Sequence, residues 1–385
     1  MELSKTLQSL EQNRNKKVIL LVFGTRPEII KLFILYRILK NSEEFFPVLV
    51  NTCQQKISGD VLEHIGVEDD ITIEQIPNRS TDLNQLNAHL MNKLTEKFNS
   101  PSALIAKKDI AGIIVQGDTA SAYSGAIWGF LNEIPVMHVE AGLRTFDHQN
   151  PFPEEFFRES IGRASSLNFC PTHISYDNLV REGISAKKNY IVGNTINDAI
   201  INLIRENKIK EPKYDEYLLS TLHRRENWDN VSKYASILND VITDNIVDED
   251  ILHIIHPNPL VKDRFNSVFA GKYPSKLKIK EPVHDYFEML GLVRKSNMIL
   301  TDSGGLQEES LFFNIPCGVM RKVTERPEVL DKNARLLTFD NSNVNDFLRH
   351  AEDYKSKNTS EFDYTYGDGT TSEQIYEVLK SFYKL

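Results

Sequence analysis

The chain has 385 residues, with 45 Lys and Arg against 54 Asp and Glu, and so a formal charge of −9. At about 150 residues per domain, this length predicts two or three domains, each able to bury a core, and 41% apolar residues make an ordinary globular mixture. The acidic total excludes a general affinity for nucleic acid but permits a local basic pocket for one small anion. The three separated cysteines Cys53, Cys170 and Cys317 spell neither a disulfide framework nor a CxxC metal site.

The first 16 residues form a polar extension without the apolar h-region of a secretory signal. The apolar run 18–23 is far shorter than the roughly 20 residues of a membrane span. A cytoplasmic protein without membrane contact is predicted. The run itself predicts a strand buried on both faces. A helix follows over 28–40, with Pro27 suited to a first helical turn. Strands are then predicted at 47–51, 110–115, 134–139 and 167–170, with helices at 83–98, 120–131 and 153–164. A second series begins near Gly193. Its strands fall at 217–222, 251–255, 298–301 and 315–320, and its helices at 283–294, 306–313 and 372–383, with 341–363 helical and then polar. Alternating strands and helices imply βαβ units and parallel sheets. Such sheets bind ligands at the C-terminal ends of their strands, where the polar motifs of this chain fall.

The turn Gly24-Thr25-Arg26-Pro27-Glu28 has one glycine where a dinucleotide fold needs G-x-G-x-x-G, and no P-loop occurs, so NAD, FAD and P-loop chemistry are set aside. Arg26 offers either a cation for phosphate at a helix start or a surface salt bridge. Asp302-Ser303-Gly304-Gly305 can expose backbone N–H groups to an anion, or cap a helix and nothing more. Glu308 and Glu309 suit the helix dipole, and a carboxylate there can also accept from a ribose diol. Arg326 is a second phosphate candidate. The run His223-Arg224-Arg225 suits a diphosphate, or a solvated charged surface. Asp118, Glu140 and Glu154, with Arg144 and Arg158 nearby, are carboxylates that could act as general acid and base or serve as helix-start acids and ion pairs. His253 and His256 are three apart on a predicted strand and its exit, hence on opposite faces. No metal site is read there, and His253 is expected to pack in a core.

In order along the chain stand Phe23-Gly-Thr-Arg-Pro-Glu28, Gln116-Gly-Asp-Thr119, His138-Val-Glu-Ala-Gly-Leu-Arg-Thr145, Pro153-Glu-Glu155, Gly193-Asn-Thr195, His223-Arg-Arg-Glu226, Asp302-Ser-Gly-Gly305 with Gln307-Glu-Glu309, and Thr324-Glu-Arg-Pro-Glu328. With these motifs the chain resembles the non-hydrolysing UDP-N-acetylglucosamine 2-epimerases over nearly its whole length. The resemblance implies an α/β protein of two doubly wound Rossmann-like domains of GT-B type, facing across a central cleft. The expected parts are the extension 1–16, an N-terminal domain 17–192 carrying the acid/base carboxylates, a C-terminal domain 193–368 binding UDP, and a helix in 369–385 packing back on the N-terminal domain.

The resemblance also implies a reaction: reversible C2 epimerisation of UDP-GlcNAc to UDP-ManNAc, by elimination of UDP to a 2-acetamidoglucal and re-addition. This reaction would supply surface polysaccharide synthesis in a homodimer that needs no cofactor and no metal. By the same resemblance Asp118, Glu140, Glu154 and His223 are catalytic. Arg26, Lys31, Arg144, Arg158, Ser303, Gly304, Gly305, Glu309 and Arg326 contact the UDP-sugar, with Glu309 on the ribose. Which carboxylate is acid and which base stays open. So do three alternatives: the same chemistry on a 6-deoxy or diacetamido uronic UDP-sugar, a hydrolysing epimerase releasing ManNAc and UDP, and a GT-B glycosyltransferase. One departure concerns regulation. Several bacterial members bind a second, activating UDP-GlcNAc at Gln-His-Arg after the second strand, and here Gln55 stands in place of the histidine.

Overall fold

A computed structural model describes residues 15–55, 59–75, 82–101, 103–354 and 362–385. Almost all of the 1–16 extension therefore lies outside the described residues. The chain divides into two compact units, Met1–Asn202 with Tyr366–Leu385, and Leu203–Thr365.

In the first unit, strands β1 (Lys17–Phe23), β2 (Phe45–Asn51), β3 (Ile71–Thr72), β4 (Ile110–Gln116), β5 (Val136–Val139), β6 (Leu167–Cys170) and β7 (Asn189–Ile191) form one sheet. Its order is β3-β2-β1-β4-β5-β6-β7, and every pairing is parallel. Between the strands run helices α1 (Arg26–Asn41), α2 (Gly59–Ile65), α3 (Leu83–Asn99), α4 (Ala120–Leu131), α5 (Glu154–Ala164), α6 (His173–Arg181) and α7 (Thr195–Arg205). The second unit repeats the scheme. Strands β8 (Tyr217–Thr221), β9 (Asp250–Ile254), β10 (Leu277–Lys280), β11 (Ser296–Thr301), β12 (Cys317–Val319) and β13 (Ala334–Leu336) alternate with α8 (Val231–Thr243), α9 (Pro259–Ser267), α10 (Tyr286–Lys295), α11 (Gly304–Phe312) and α12 (Asn341–Arg349). Their parallel order is β10-β9-β8-β11-β12-β13.

The apolar runs are strands because both faces are covered. Ile19, Leu20, Leu21 and Phe23 of β1 are fully buried, as central strands of a doubly wound sheet must be. The short strands β3, β7, β10 and β13 carry no comparable sequence signal. They have two to four residues each, and beyond a first buried residue their positions are half-exposed or exposed. Helix α4 is rich in Ala, Ser and Gly, and these small residues let it lie close on β1 and β4. A methyl group at Gly125 would come within 3.1 Å of Val22.

In each sheet the chain order reverses beside the first strand, at β1/β4 and at β8/β11. Loops leaving such a pair on opposite sides of the sheet open a crevice at the carboxyl ends. Residues 24–28 and 117–119 leave β1 and β4, while 222–227 and 302–305 leave β8 and β11. Four of the motifs singled out in the sequence, those beginning at Phe23, Gln116, His223 and Asp302, thus sit at the two switch points.

The last helix, α13 (Thr371–Tyr383), belongs to the first unit. The Tyr376 and Tyr383 rings meet Phe45 edge-on at 6.0 and 5.9 Å. The buried carboxylate of Asp198 on α7 accepts the Thr371 and Ser372 N–H groups at 3.2 and 2.6 Å. Asn194 N–H donates to the Tyr366 carbonyl, and Asn197 Nδ2 to that of Gly367. These ties hold 193–202 and 366–368 in the first unit, whereas the sequence reading assigned both segments to the second domain.

Gly142, with φ of +87°, places its backbone so that an added Cβ would lie 2.1 Å from the Ser175 carbonyl oxygen of α6. Both the conformation and the contact demand glycine. Gly142→Ala is expected to lower the unfolding free energy by about 2–4 kcal/mol, read as a drop in urea midpoint at unchanged slope.

Candidate active site

In the first unit two carboxylates are held by two separate sets of partners. Glu140 follows β5 directly and has φ of +68°. That left-handed conformation is uncommon for a side chain with a Cβ and is found where surrounding contacts enforce it. The contacts here are on Oε2, which accepts from Gln116 Nε2 at 3.1 Å, from Asn194 Nδ2 at 3.0 Å, and from the Lys31 ammonium. Lys31 and Glu140 are both buried. Asp118 instead pairs with Arg158, whose Nε lies 3.0 Å away. Arg158 also donates to buried Glu155 at 2.8 Å, and Glu155 accepts the Thr145 and Phe146 N–H groups, both at 2.8 Å. Glu154 stands half-buried as the first residue of α5.

Two buried residues fix the turn that carries Asp118. His138 places Nε2 2.8 Å from the Gly117 carbonyl. A carbonyl only accepts, so that nitrogen carries the proton, and burial, which lowers the imidazole to about 4, keeps the ring neutral. Glu28 accepts from Gly24 N–H, Thr25 N–H and the Thr25 hydroxyl on one oxygen, and from the Thr119 hydroxyl on the other, at 2.6–3.0 Å. It therefore ties the β1 exit to the β4 exit. Burial pushes its carboxyl up to about 7, against the pull of those hydrogen bonds. Arg26 is half-buried at the first position of α1. Arg144 is turned to another use: its guanidinium is buried in a two-bond pair with Glu182, at 2.6 and 2.9 Å. The Gln55 backbone N–H donates to the Gly24 carbonyl, and Gln54 Oε1 accepts from Ser121 N–H and hydroxyl.

In the second unit the ends of β8 and β11 are joined by the Thr221 and Thr301 hydroxyls at 2.8 Å. Ser303 caps α11, its hydroxyl accepting the Leu306 N–H. Gly304 lies against Arg326, where a Cβ would meet Nη1 at 2.8 Å. Arg326 donates Nε to Glu308 at 2.7 Å and pairs with Glu325 through Nη1. Glu325 also receives Arg321 at 2.8 Å, and Arg224 at 3.9 Å. The guanidinium groups of Arg224, Arg321 and Arg326 thus gather on one carboxylate beside the start of α11. Glu309 is buried within α11, and Gly305 is the second residue of that helix. His223 places Nδ1 3.0 Å from Asp302. His253 is a core residue, stacked on Phe265 at 4.2 Å with Nδ1 against the Ser220 hydroxyl.

The structure therefore brings Lys31 to Glu140, Arg158 to Asp118, and Arg326 to Gly304. Sequence reasoning missed Gln116, Asn194, Glu155, Glu28, Glu325 and Asp302 as parts of these arrangements. Gln116 and Asn194 were visible within short motifs at strand ends, but only their neighbours carried obvious chemistry. No helix among the described residues is long and apolar enough to cross a membrane.

Both units are open parallel α/β sheets with charged residues gathered at the carboxyl ends of their switch-point strands, an architecture of nucleotide-binding enzymes. The family model described as UDP-N-acetylglucosamine 2-epimerase matches residues 37–380. A UDP-N-acetylglucosamine 2-epimerase of Methanocaldococcus jannaschii is 34% identical over 370 residues, covering 93% of this chain and 98% of its own. That of Bacillus subtilis is 32% identical, covering 94% and 95%. Among solved structures, the M. jannaschii enzyme in complex with UDP-GlcNAc and UDP matches with a TM-score of 0.79 at 31% identity, over 95% of this chain and 99% of that one. The Neisseria meningitidis enzyme bound to UDP-GlcNAc matches with 0.83 at 27%, over 94% and 100%. The chain belongs to the UDP-N-acetylglucosamine 2-epimerase family.

Removing one partner of a buried ion pair leaves the other uncompensated. Lys31→Met is expected to cost about 3 kcal/mol of stability, and Glu140→Gln in that background to restore part of it, as a double-mutant cycle by denaturant unfolding would show. Glu28 gives a pH signature. Its folded pKa is above the ordinary 4.5, so between about 4.5 and 7 the folded state holds a proton that the unfolded chain has released. Its contribution is complete below that window and is lost as pH rises through it, by up to about 3 kcal/mol. Glu28→Gln is expected to remove this slope from the stability–pH curve.

Proposed function

We propose that the protein interconverts UDP-N-acetylglucosamine and UDP-N-acetylmannosamine by inverting C2, without releasing free sugar, and that it supplies surface polysaccharide synthesis. The observation that carries the reading is Glu140, a carboxylate locked in a left-handed conformation at a strand end with a buried lysine on one oxygen. Family membership and the ligands of the M. jannaschii and N. meningitidis structures support the choice of substrate.

The C2 proton of the sugar is not acidic. Elimination solves this: as the C1–O bond to UDP breaks, positive charge grows at C1 and the C2–H bond weakens. The electron pair of that bond forms the C1=C2 double bond of a 2-acetamidoglucal, the proton goes to a carboxylate, and UDP leaves with the C1–O electron pair. Proton return to the opposite face of C2, with re-addition of UDP, completes the epimer. The residues divide accordingly. Lys31 pairs with Glu140, and Arg158 with Asp118, which holds both carboxylates in fixed positions for proton transfer alongside Glu154. The α11 N-terminus at Ser303 and Gly304, with Arg326, offers donors for a departing diphosphate, and His223 is the imidazole available to the substrate. Glu309 would take the ribose hydroxyls.

Incubation with UDP-GlcNAc in deuterated water, followed by NMR, tests the proposal. UDP-ManNAc with deuterium at C2 is expected. No epimer and no deuterium at C2 would overturn it, and free ManNAc would instead indicate a hydrolysing enzyme. Glu140→Gln is expected to slow turnover about 10²- to 10⁴-fold.

A further inference from the structure

We propose that Asp302 is a positioning residue for His223, holding the imidazole with its proton on Nδ1 so that Nε2 is the nitrogen offered to substrate. The inference rests on the functional reading above for the role of His223, but not for its geometry.

Asp302 lies at the exit of β11, and His223 at the exit of β8, the two central strands of the second sheet. The Asp302 side chain is completely buried, whereas that of His223 is 48% exposed. Oδ1 of Asp302 accepts the His223 N–H at 3.0 Å, and Oδ2 accepts the Arg224 N–H and Asn227 Nδ2, both at 2.9 Å. Asn227 is itself fixed by donating to the Met320 carbonyl at 3.0 Å, and Arg224 Nε donates to the Asp302 carbonyl at 2.9 Å. The carboxylate is therefore immobilised by three donors before the imidazole is considered. His223 Nδ1 then lies 3.0 Å from Oδ1.

An ionised carboxylate can only accept, so a neutral imidazole facing it must present N–H. Burial alone would raise the Asp302 carboxyl, but the His223 ring and the surrounding donors overcome it and hold the group well below the ordinary carboxylate range. The acceptor-only state is thus the resident one. With Nδ1 committed, the exposed side of the ring carries Nε2. This is the arrangement of an orienting carboxylate behind a working imidazole, in which the carboxylate sets tautomer and direction and takes no proton itself.

Arg224, next in the chain, and His256 are further charged and titratable groups beside His223. Arg224 is committed to Asp302, Glu226 and Glu325. His256 packs edge-on against Trp228 at 5.6 Å and accepts the Asn258 N–H on Nδ1. Burial, and then the neighbouring His223, hold it below its ordinary value. Asp302 is the anion against the His223 ring.

The sequence suggested a different use for Asp302, as a helix cap or part of an anion loop. Ser303 makes the cap instead, which leaves Asp302 to bridge two strand exits.

Nitrogen-15 NMR of the histidine-labelled full-length protein at alkaline pH tests the proposal, with His223 identified as the resonances missing from His223→Gln. The expected wild-type pattern has protonated Nδ1 and bare Nε2. A wild-type ring protonated on Nε2 overturns the proposal even if every variant misfolds. In Asp302→Asn, an amide NH2 facing Nδ1 is expected to reverse the pattern, and kcat on UDP-GlcNAc is expected to fall about 10²- to 10⁴-fold with KM changed much less. An unchanged tautomer in a folded Asp302→Asn protein also overturns it. The NMR readout needs no substrate, so absence of epimerisation by the wild type would count against the functional reading alone.

Discussion

The parallel pairing of β1 with β4, and of β8 with β11, is the constraint on which the candidate site depends. Each pair marks the reversal of strand order in its sheet. Loops leaving the two strands run to opposite faces, so the backbone at their carboxyl ends is not covered by a crossover helix. Residues 24–28 and 117–119 in one unit, and 222–227 and 302–305 in the other, fall there by topology. The buried apolar strands supply the rigidity, and the loops supply the chemistry. Cross-ties between the paired exits reinforce the arrangement: Glu28 to Thr119 in the first unit, and Asp302 to His223, Arg224 and Asn227 in the second.

Both units bury charge, and both satisfy it locally. Lys31 neutralises Glu140, Arg158 is shared by Asp118 and Glu155, and Arg326 is shared by Glu308 and Glu325. A buried pair contributes little net stability once desolvation is counted, because each ion gives up its water. What it provides is fixed geometry. Glu140 illustrates this: its backbone strain is tolerated because three donors over-determine where the carboxylate lies.

Much of this was legible in the chain. The continuous apolar runs became central strands, and the small-residue helix became α4, because burial on two faces and close packing leave clear signatures in residue type. The edge strands β3, β7, β10 and β13 were not legible, since two to four residues with one buried position each carry no periodicity. Arg144 shows the limit for sites. Its motif suggested a ligand contact, yet its guanidinium is committed to Glu182, 38 residues away.

The sequence by itself determined that this is an α/β protein of the UDP-N-acetylglucosamine 2-epimerase family, and which short segments hold its reactive side chains. Composition, periodicity and motif order are local properties that survive in one dimension. Only the tertiary structure decided which side chains are partners: Lys31 with Glu140 across 109 positions, and His223 with Asp302 across 79. Those pairings depend on which strands lie side by side. A parallel sheet joins strands far apart in the chain, so no local pattern records them.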